Sequence, residues 1–340
     1  MRAIVSAGAR DLQVMEHPEP QPAADEVTVR VEFGGICGSD LHYHAHGANG
    51  AALIREPLTL GHEIAGVVES AGPGVAGDLV GRRVVVHPAT PCPPAGCVDG
   101  KGFNRLPSGR YLGSAAHFPH AQGAFADRIA VRVDQLRFVD DSVPARRAAL
   151  AEPLAVALHA VRQAGGDFRG REVLISGAGP IGCLAVAGAR RAGARSITVS
   201  DLHQAPLDVA RSVGADAALL LGSDQVPAAA FDVVIEASGA PAALNAAIKA
   251  VRDGGMVVQL GILPPGPNPI DLGQLITREV TLRGSQRFDV ELDAAVELLA
   301  AAPELDGIVT HVFAPEKAAE AFEAAADSSR SCKVLLDFSA

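Results

Sequence analysis

The stretch Glu172-Val-Leu-Ile-Ser-Gly177-Ala-Gly179-Pro180-Ile181-Gly182 decides the fold. Val173–Ser176 is a short apolar run of the kind that forms a buried strand, and a helix is expected from Pro180. Between them stands Gly-x-Gly-x-x-Gly. Gly177 allows the tight turn, Gly179 lets the backbone approach a pyrophosphate, and Gly182 lets helix and strand pack closely. The unpaired N–H groups of the helix start, that of Ile181 among them and none from Pro180, lie where phosphates bind. A second strand, Ser196–Asp201, ends in an acid 19 residues after Gly182. A carboxylate about 20 residues on is placed for the ribose hydroxyls of a dinucleotide. It repels a 2′-phosphate, and Leu202-His203-Gln204-Ala205-Pro206 supplies no Arg or Lys to hold one. NAD is therefore expected over NADP, with His203 the one residue that softens the preference.

Working outward, strands and helices alternate on the C-terminal side: Ala217–Leu221, Asp232–Glu236, a helix from Ala242, and Met256–Ile262. That alternation predicts an α/β, doubly wound parallel sheet. Leu260, Gly261 and Ile262, at the end of the last of these strands, are expected to line the cofactor. A helix over Leu292–Ala301 and a strand over Lys333–Phe338 close the chain. On the N-terminal side, Val27–Val31, Ile64–Val68 and Arg83–Val86 read as strands. Gly34-Gly35, Pro73-Gly74 and Pro93-Pro94 read as the turns between them. The expected division is a β-rich domain over 1–149, a dinucleotide-binding domain over 150–283, and a C-terminal segment, 284–340, that returns to the first.

The 340 residues carry a formal net charge of −10, which argues against nucleic acid as a partner. No apolar run reaches the roughly 18 residues of a membrane span. The N-terminus, with no long apolar segment, does not read as a signal peptide. Five cysteines are too few and odd in number for a disulfide framework, so a cytoplasmic location is expected.

Three segments offer metal-ligand chemistry: Gly35-Ile-Cys37-Gly-Ser39-Asp40-Leu-His42-Tyr43, Leu60-Gly61-His62-Glu63 and Ala151-Glu152-Pro153. Cys, His and carboxylate are donors that zinc accepts, and three of them with an open position make a catalytic site. Their spacing alone forms no motif. Together with the glycine turn and the β-rich front half, however, they resemble the zinc-dependent medium-chain dehydrogenases. Cys37–Tyr43 and Glu152-Pro-Leu-Ala resemble the polyol branch typified by sorbitol dehydrogenase. Gly113–His120, Ala151–Ala160 and Leu282–Phe288 are closer still to the L-idonate 5-dehydrogenases of that branch.

The resemblance covers essentially the whole chain and implies a GroES-like catalytic domain beside a Rossmann domain. It implies one catalytic zinc held by Cys37, His62 and a carboxylate, with Glu63 and Glu152 both open as the third ligand. Ser39 and His42 are implied near the metal as a proton path. Tyr43, Phe118 and Arg287 are implied in the substrate pocket, with Arg287 also reaching the cofactor. The implied reaction passes hydride between NAD and a secondary alcohol of a sugar acid or polyol, foremost L-idonate to 5-ketogluconate. Sorbitol, xylitol and L-threonine remain alternative substrates, and an idle dinucleotide-binding protein is the non-enzyme alternative. A homotetramer or homodimer is the expected assembly. Arg287, with His117 and His120, is a candidate to hold a substrate carboxylate. Many members carry a second, structural zinc on four close cysteines. Here the matching stretch keeps only Cys92 and Cys97, so no structural zinc is expected.

Overall fold

The computed structural model describes residues 1–90, 102–105 and 109–339. Cys92 and Cys97, and with them the expectation of no structural zinc, lie outside the described residues. The chain divides into two compact units. One comprises Met1–Glu152, Leu292–Asp327 and Lys333–Ala340; the other comprises Pro153–Glu291 and Ser328–Cys332. The divisions read from sequence, 149/150 and 283/284, stand three and eight residues away. No helix of the described residues is long and apolar enough to cross a membrane.

The first unit is built on a seven-stranded sheet. Its members in chain order are β1 (Glu26–Gly35), β2 (Glu63–Ala71), β3 (Arg83–Val86), β4 (Arg128–Arg132), β5 (Leu136–Phe138), β6 (Val309–Phe313) and β7 (Lys333–Asp337). The order runs β5-β3-β2-β1-β7-β6, and β4 also pairs with β1. Val27, Val29 and Val31 alternate inward, fully buried, as a half-buried strand requires. Ile4, Leu58, Leu60, Phe125, Phe322 and Leu336 fill the core around them.

Gly34 and Gly35 do not turn the chain; they end β1. A Cβ on Gly34 would stand 2.8 Å from the Phe125 ring, and one on Gly35 would stand 2.3 Å from the Glu63 carboxylate. These glycines make room for neighbours. A helix absent from the sequence reading, α1 (Gly38–His46), follows β1. Gly, Ser, Asp and three His are poor helix formers, so propensity gave no sign of it.

The second unit holds a six-stranded parallel sheet. Its strands are β8 (Glu172–Ser176), β9 (Ser196–Asp201), β10 (Ala217–Leu220), β11 (Phe231–Glu236), β12 (Val251–Gln259) and β13 (Thr281–Gly284). Between the strands run the helices α2 (Pro180–Arg191), α3 (Gln204–Ser212) and α4 (Pro241–Ala250). The order β10-β9-β8-β11-β12-β13 reverses direction between β8 and β11. That reversal is where an open α/β sheet takes its ligand, outside the carboxyl ends of the strands. Val173, Leu174 and Ile175 are buried, as a central parallel strand demands. The strand expected over Met256–Ile262 instead ends at Gln259. The N–H groups of Leu260 and Gly261 both turn to the Glu236 carbonyl, at 2.8 Å, and leave the ladder.

Candidate active site

Cys37 stands at the N-cap of α1, where the helix presents its partial positive charge to the sulfur. Asp40, three residues on, accepts the Cys37 N–H at 2.9 Å through Oδ2 and the Gly61 N–H at 3.1 Å through Oδ1. One buried carboxylate thus clamps the Cys37 turn to the residue before His62. Gly61 has φ +91°, and a Cβ there would meet the Phe125 ring at 2.2 Å. Gly61→Ala is expected to cost about 3 kcal/mol or more from backbone strain and overpacking together. Chemical denaturation checks this, and metal content should fall with it.

Glu63 opens β2 opposite Gly35. Its Oε2 accepts from the Lys333 ammonium at 2.6 Å, and Lys333 also donates to the Ile36 carbonyl at 2.9 Å. Both residues are 2% exposed or less. Ligand atoms of Cys37, His62 and Glu63 all lie within 4.8 Å of one another. Burial works against a charge on His62, but Cys37, Asp40 and Glu152 outweigh it and push its pKa up to about 10. The surroundings therefore favour a cation at this point. Sulfur, imidazole nitrogen and carboxylate oxygen suit zinc.

Glu152 is buried and lies outside that close trio. Its Oε1 accepts from the Tyr111 hydroxyl, and the Tyr111 ring meets His62 edge-on, with centroids 5.5 Å apart. Burial pushes the Glu152 carboxyl up, and Glu63 adds to this, while His62, Tyr111 and Lys333 oppose it. Ser39, half-buried, and His42, exposed, lie on α1. Tyr43 is buried, and its hydroxyl oxygen accepts the Ala115 N–H at 2.9 Å. That contact anchors the loop carrying Phe118, which is 61% exposed under the Arg55 guanidinium, 5.2 Å from the ring centroid. His120 does not serve as a carboxylate holder. Its Nε2 accepts the Arg55 N–H at 2.8 Å, so the proton sits on Nδ1 and goes to the His117 carbonyl at 2.7 Å. Both nitrogens are spent on the loop.

In the second unit, Gly177 has φ +97°, and a Cβ on Gly182 would strike the Gly177 carbonyl at 1.9 Å. Gly179, the N-cap of α2, faces open space, and Pro180 is the first helical residue. Asp201, at the end of β9, accepts the Ala178 N–H at 2.7 Å and the His203 N–H at 2.9 Å. The acid thereby fixes the glycine turn. Arg287 sits at φ +48°, beside buried Phe288.

Three residues that hold the candidate site together escaped the sequence reading as site residues. Asp40 had a signal, its capping-box spacing from Cys37. Lys333 had a faint one, a charge opening an apolar strand. Tyr111 had none.

Residues 23–141 match the alcohol dehydrogenase GroES-like domain, and residues 180–301 match the zinc-binding dehydrogenase family. The L-idonate 5-dehydrogenase (NAD(P)(+)) of Escherichia coli is 34% identical over 91% of this chain and 91% of its own. Sorbitol dehydrogenase of Homo sapiens is 34% identical over 94% of this chain and 91% of its own. The crystal structure of L-idonate 5-dehydrogenase from Escherichia coli superposes with a TM-score of 0.91 at 33% identity. It covers 99% of this chain and 97% of that one. With the trio Cys37, His62 and Glu63 in one unit and a dinucleotide fold in the other, the chain belongs to the zinc-dependent medium-chain dehydrogenases, in their sorbitol dehydrogenase branch.

Proposed function

We propose that the protein oxidises a secondary alcohol of a sugar acid with NAD, foremost L-idonate to 5-ketogluconate, at a zinc held by Cys37, His62 and Glu63. The observation that carries this reading is the buried trio of S, N and O donors within 4.8 Å of one another. Zinc, when bound, would supply a Lewis acid for the alcohol oxygen, and NAD would supply the acceptor for its hydride. The chain's own residues do the rest. Lys333 and the Asp40 clamp fix the ligands. Glu152, held by Tyr111, stands beside them as an acceptor for a polar hydrogen. Ser39 and exposed His42 carry the released proton outward. Phe118 faces the substrate, and Tyr43 holds the loop of Phe118.

A neutral polyol is the second reading, favoured by the equal identity to human sorbitol dehydrogenase. Initial rates of NAD reduction with L-idonate, sorbitol, xylitol and L-threonine separate the two. kcat/KM should be highest for L-idonate, and a higher value for sorbitol would move the assignment to the polyol.

NAD is read over NADP from Asp201. Asp201→Ala removes an acceptor for the ribose hydroxyls and frees the Ala178 and His203 N–H groups. A charged hydrogen bond contributes about 1.5–3 kcal/mol, so KM for NAD should rise roughly tenfold or more. The gap between NAD and NADP should narrow. An unchanged preference would mean that another residue, His203 foremost, sets it.

A further inference from the structure

Helix α1 carries three histidines, His42, His44 and His46, and their spacing sorts them by face. Residues four apart on a helix stand one above the other, while a residue two away points to the opposite side. His44 accordingly turns toward the core, where its ring meets buried Phe322 edge-on, with centroids 5.5 Å apart. His42 and His46 both stand exposed, with ring centroids 6.0 Å apart and planes tilted by 30°. Neither ring has a hydrogen-bonding partner among the described residues.

We propose that His42 and His46 form a second metal site, apart from the trio, which takes a borderline divalent cation such as Zn²⁺ or Ni²⁺, and that its occupation withdraws His42 from the proton path. The second half rests on the reading of His42 as a proton carrier.

The geometry is close to what a shared metal needs. Two imidazoles on one tetrahedral zinc, each bonded at about 2.0–2.1 Å, place their ring centroids roughly 5 Å apart. The observed separation exceeds this by only about 1 Å, which rotation of two exposed rings about their broad terminal torsions closes. Two histidines four apart on one helix face are a pairing by which helices hold zinc. Imidazole suits zinc, nickel and copper, whereas magnesium and calcium choose oxygen. The one carboxylate of α1, Asp40, is buried and committed to the Cys37 and Gly61 N–H groups, so the pair offers nitrogen alone. His46 is the last residue of the helix, and the partial negative charge of a helix C-terminus favours a cation. No Lys or Arg on α1 opposes it.

With two side chains as ligands, the remaining positions fall to water, so the site is weaker than the buried trio and fills when metal is in excess. The metal takes the one nitrogen lone pair with which a neutral imidazole receives a proton. Excess zinc should therefore slow the reaction that the first equivalent supports.

Adding Zn²⁺ to protein that already carries its catalytic equivalent tests this, with bound metal read by equilibrium dialysis and the rate by NAD reduction. Wild type should take up about one equivalent more than His46→Gln, and its rate should fall as it does so. His46→Gln should keep the basal rate within roughly twofold. It should need at least about tenfold more zinc for half-inhibition, since a lost ligand costs more than the roughly 10–100-fold of a lost ligand partner. Ni²⁺ should act like Zn²⁺, and Mg²⁺ at the same concentration should not. His42→Gln should lose the same equivalent in dialysis, a check independent of His46. Equal zinc uptake by wild type and His46→Gln, or equal inhibition of both, would overturn the site. The dialysis needs no turnover, so it decides the site even if the substrate reading fails. An extra equivalent that leaves the wild-type rate unchanged would instead overturn the withdrawal of His42 and its reading as the proton carrier.

Discussion

Cys37→Ala is expected to abolish turnover while leaving cofactor binding nearly intact. Cys37 is the only sulfur in the trio, and its loss leaves a nitrogen and an oxygen to hold the metal. Losing a hydrogen-bonding partner of a ligand already costs about 10–100-fold in metal affinity, and losing the ligand itself costs more. A Lewis acid supplies several kcal/mol of transition-state stabilisation. At about 1.36 kcal/mol per factor of ten, the rate should fall at least roughly a thousandfold. NADH titration of the variant should match wild type, because the glycine turn and Asp201 belong to the other unit. Metal analysis and kcat of the same preparation check the first half. A variant that keeps its zinc and its rate would remove Cys37 from the site.

Lys333→Met is expected to be the most destabilising substitution at the site. Lys333 and Glu63 form an ion pair at 2.6 Å, with both side chains 3% exposed or less. Breaking a buried pair from one side leaves an uncompensated charge and costs about 3–5 kcal/mol. Burial lowers the Lys333 pKa, but Glu63, Cys37 and Glu152 overcome this and raise it above the usual lysine value. A pKa raised on folding gives stability that is fully present below the unfolded value and lost as pH rises through the folded one. The pair should therefore hold across the neutral range and weaken in alkali, as the ammonium loses its proton. Urea unfolding of wild type and Lys333→Met checks the magnitude. Zinc should restore part of the loss in the variant, since the metal offers Glu63 another positive partner. A variant as stable as wild type would show that Glu63 does not depend on Lys333.

The parallel sheet was legible because its signals are local. Val173–Ser176, Gly177, Gly179 and Gly182 lie close together in sequence, and the central strands β8 and β11 carry apolar runs, Val173–Ile175 and Val233–Ile235. Cys37 and His62 were candidate ligands only through resemblance, because the contacts that join them are long-range. Asp40 reaches Gly61 across 21 residues, and Lys333 reaches Glu63 across 270. Gly34-Gly35 misled for a related reason. Glycine marks turns most often, but here it yields space to Phe125 and Glu63, which only the packed structure reveals. His120 looked like a substrate ligand until its two ring nitrogens were accounted for.

Metal removal and return, read by NAD reduction, tests the account most directly. The protein as purified should carry zinc and reduce NAD with a polyhydroxy acid or polyol. Stripping with a strong chelator should abolish the rate without unfolding the chain, and zinc should restore it, with about one equivalent needed at the trio. An undiminished rate in metal-free protein would contradict the account.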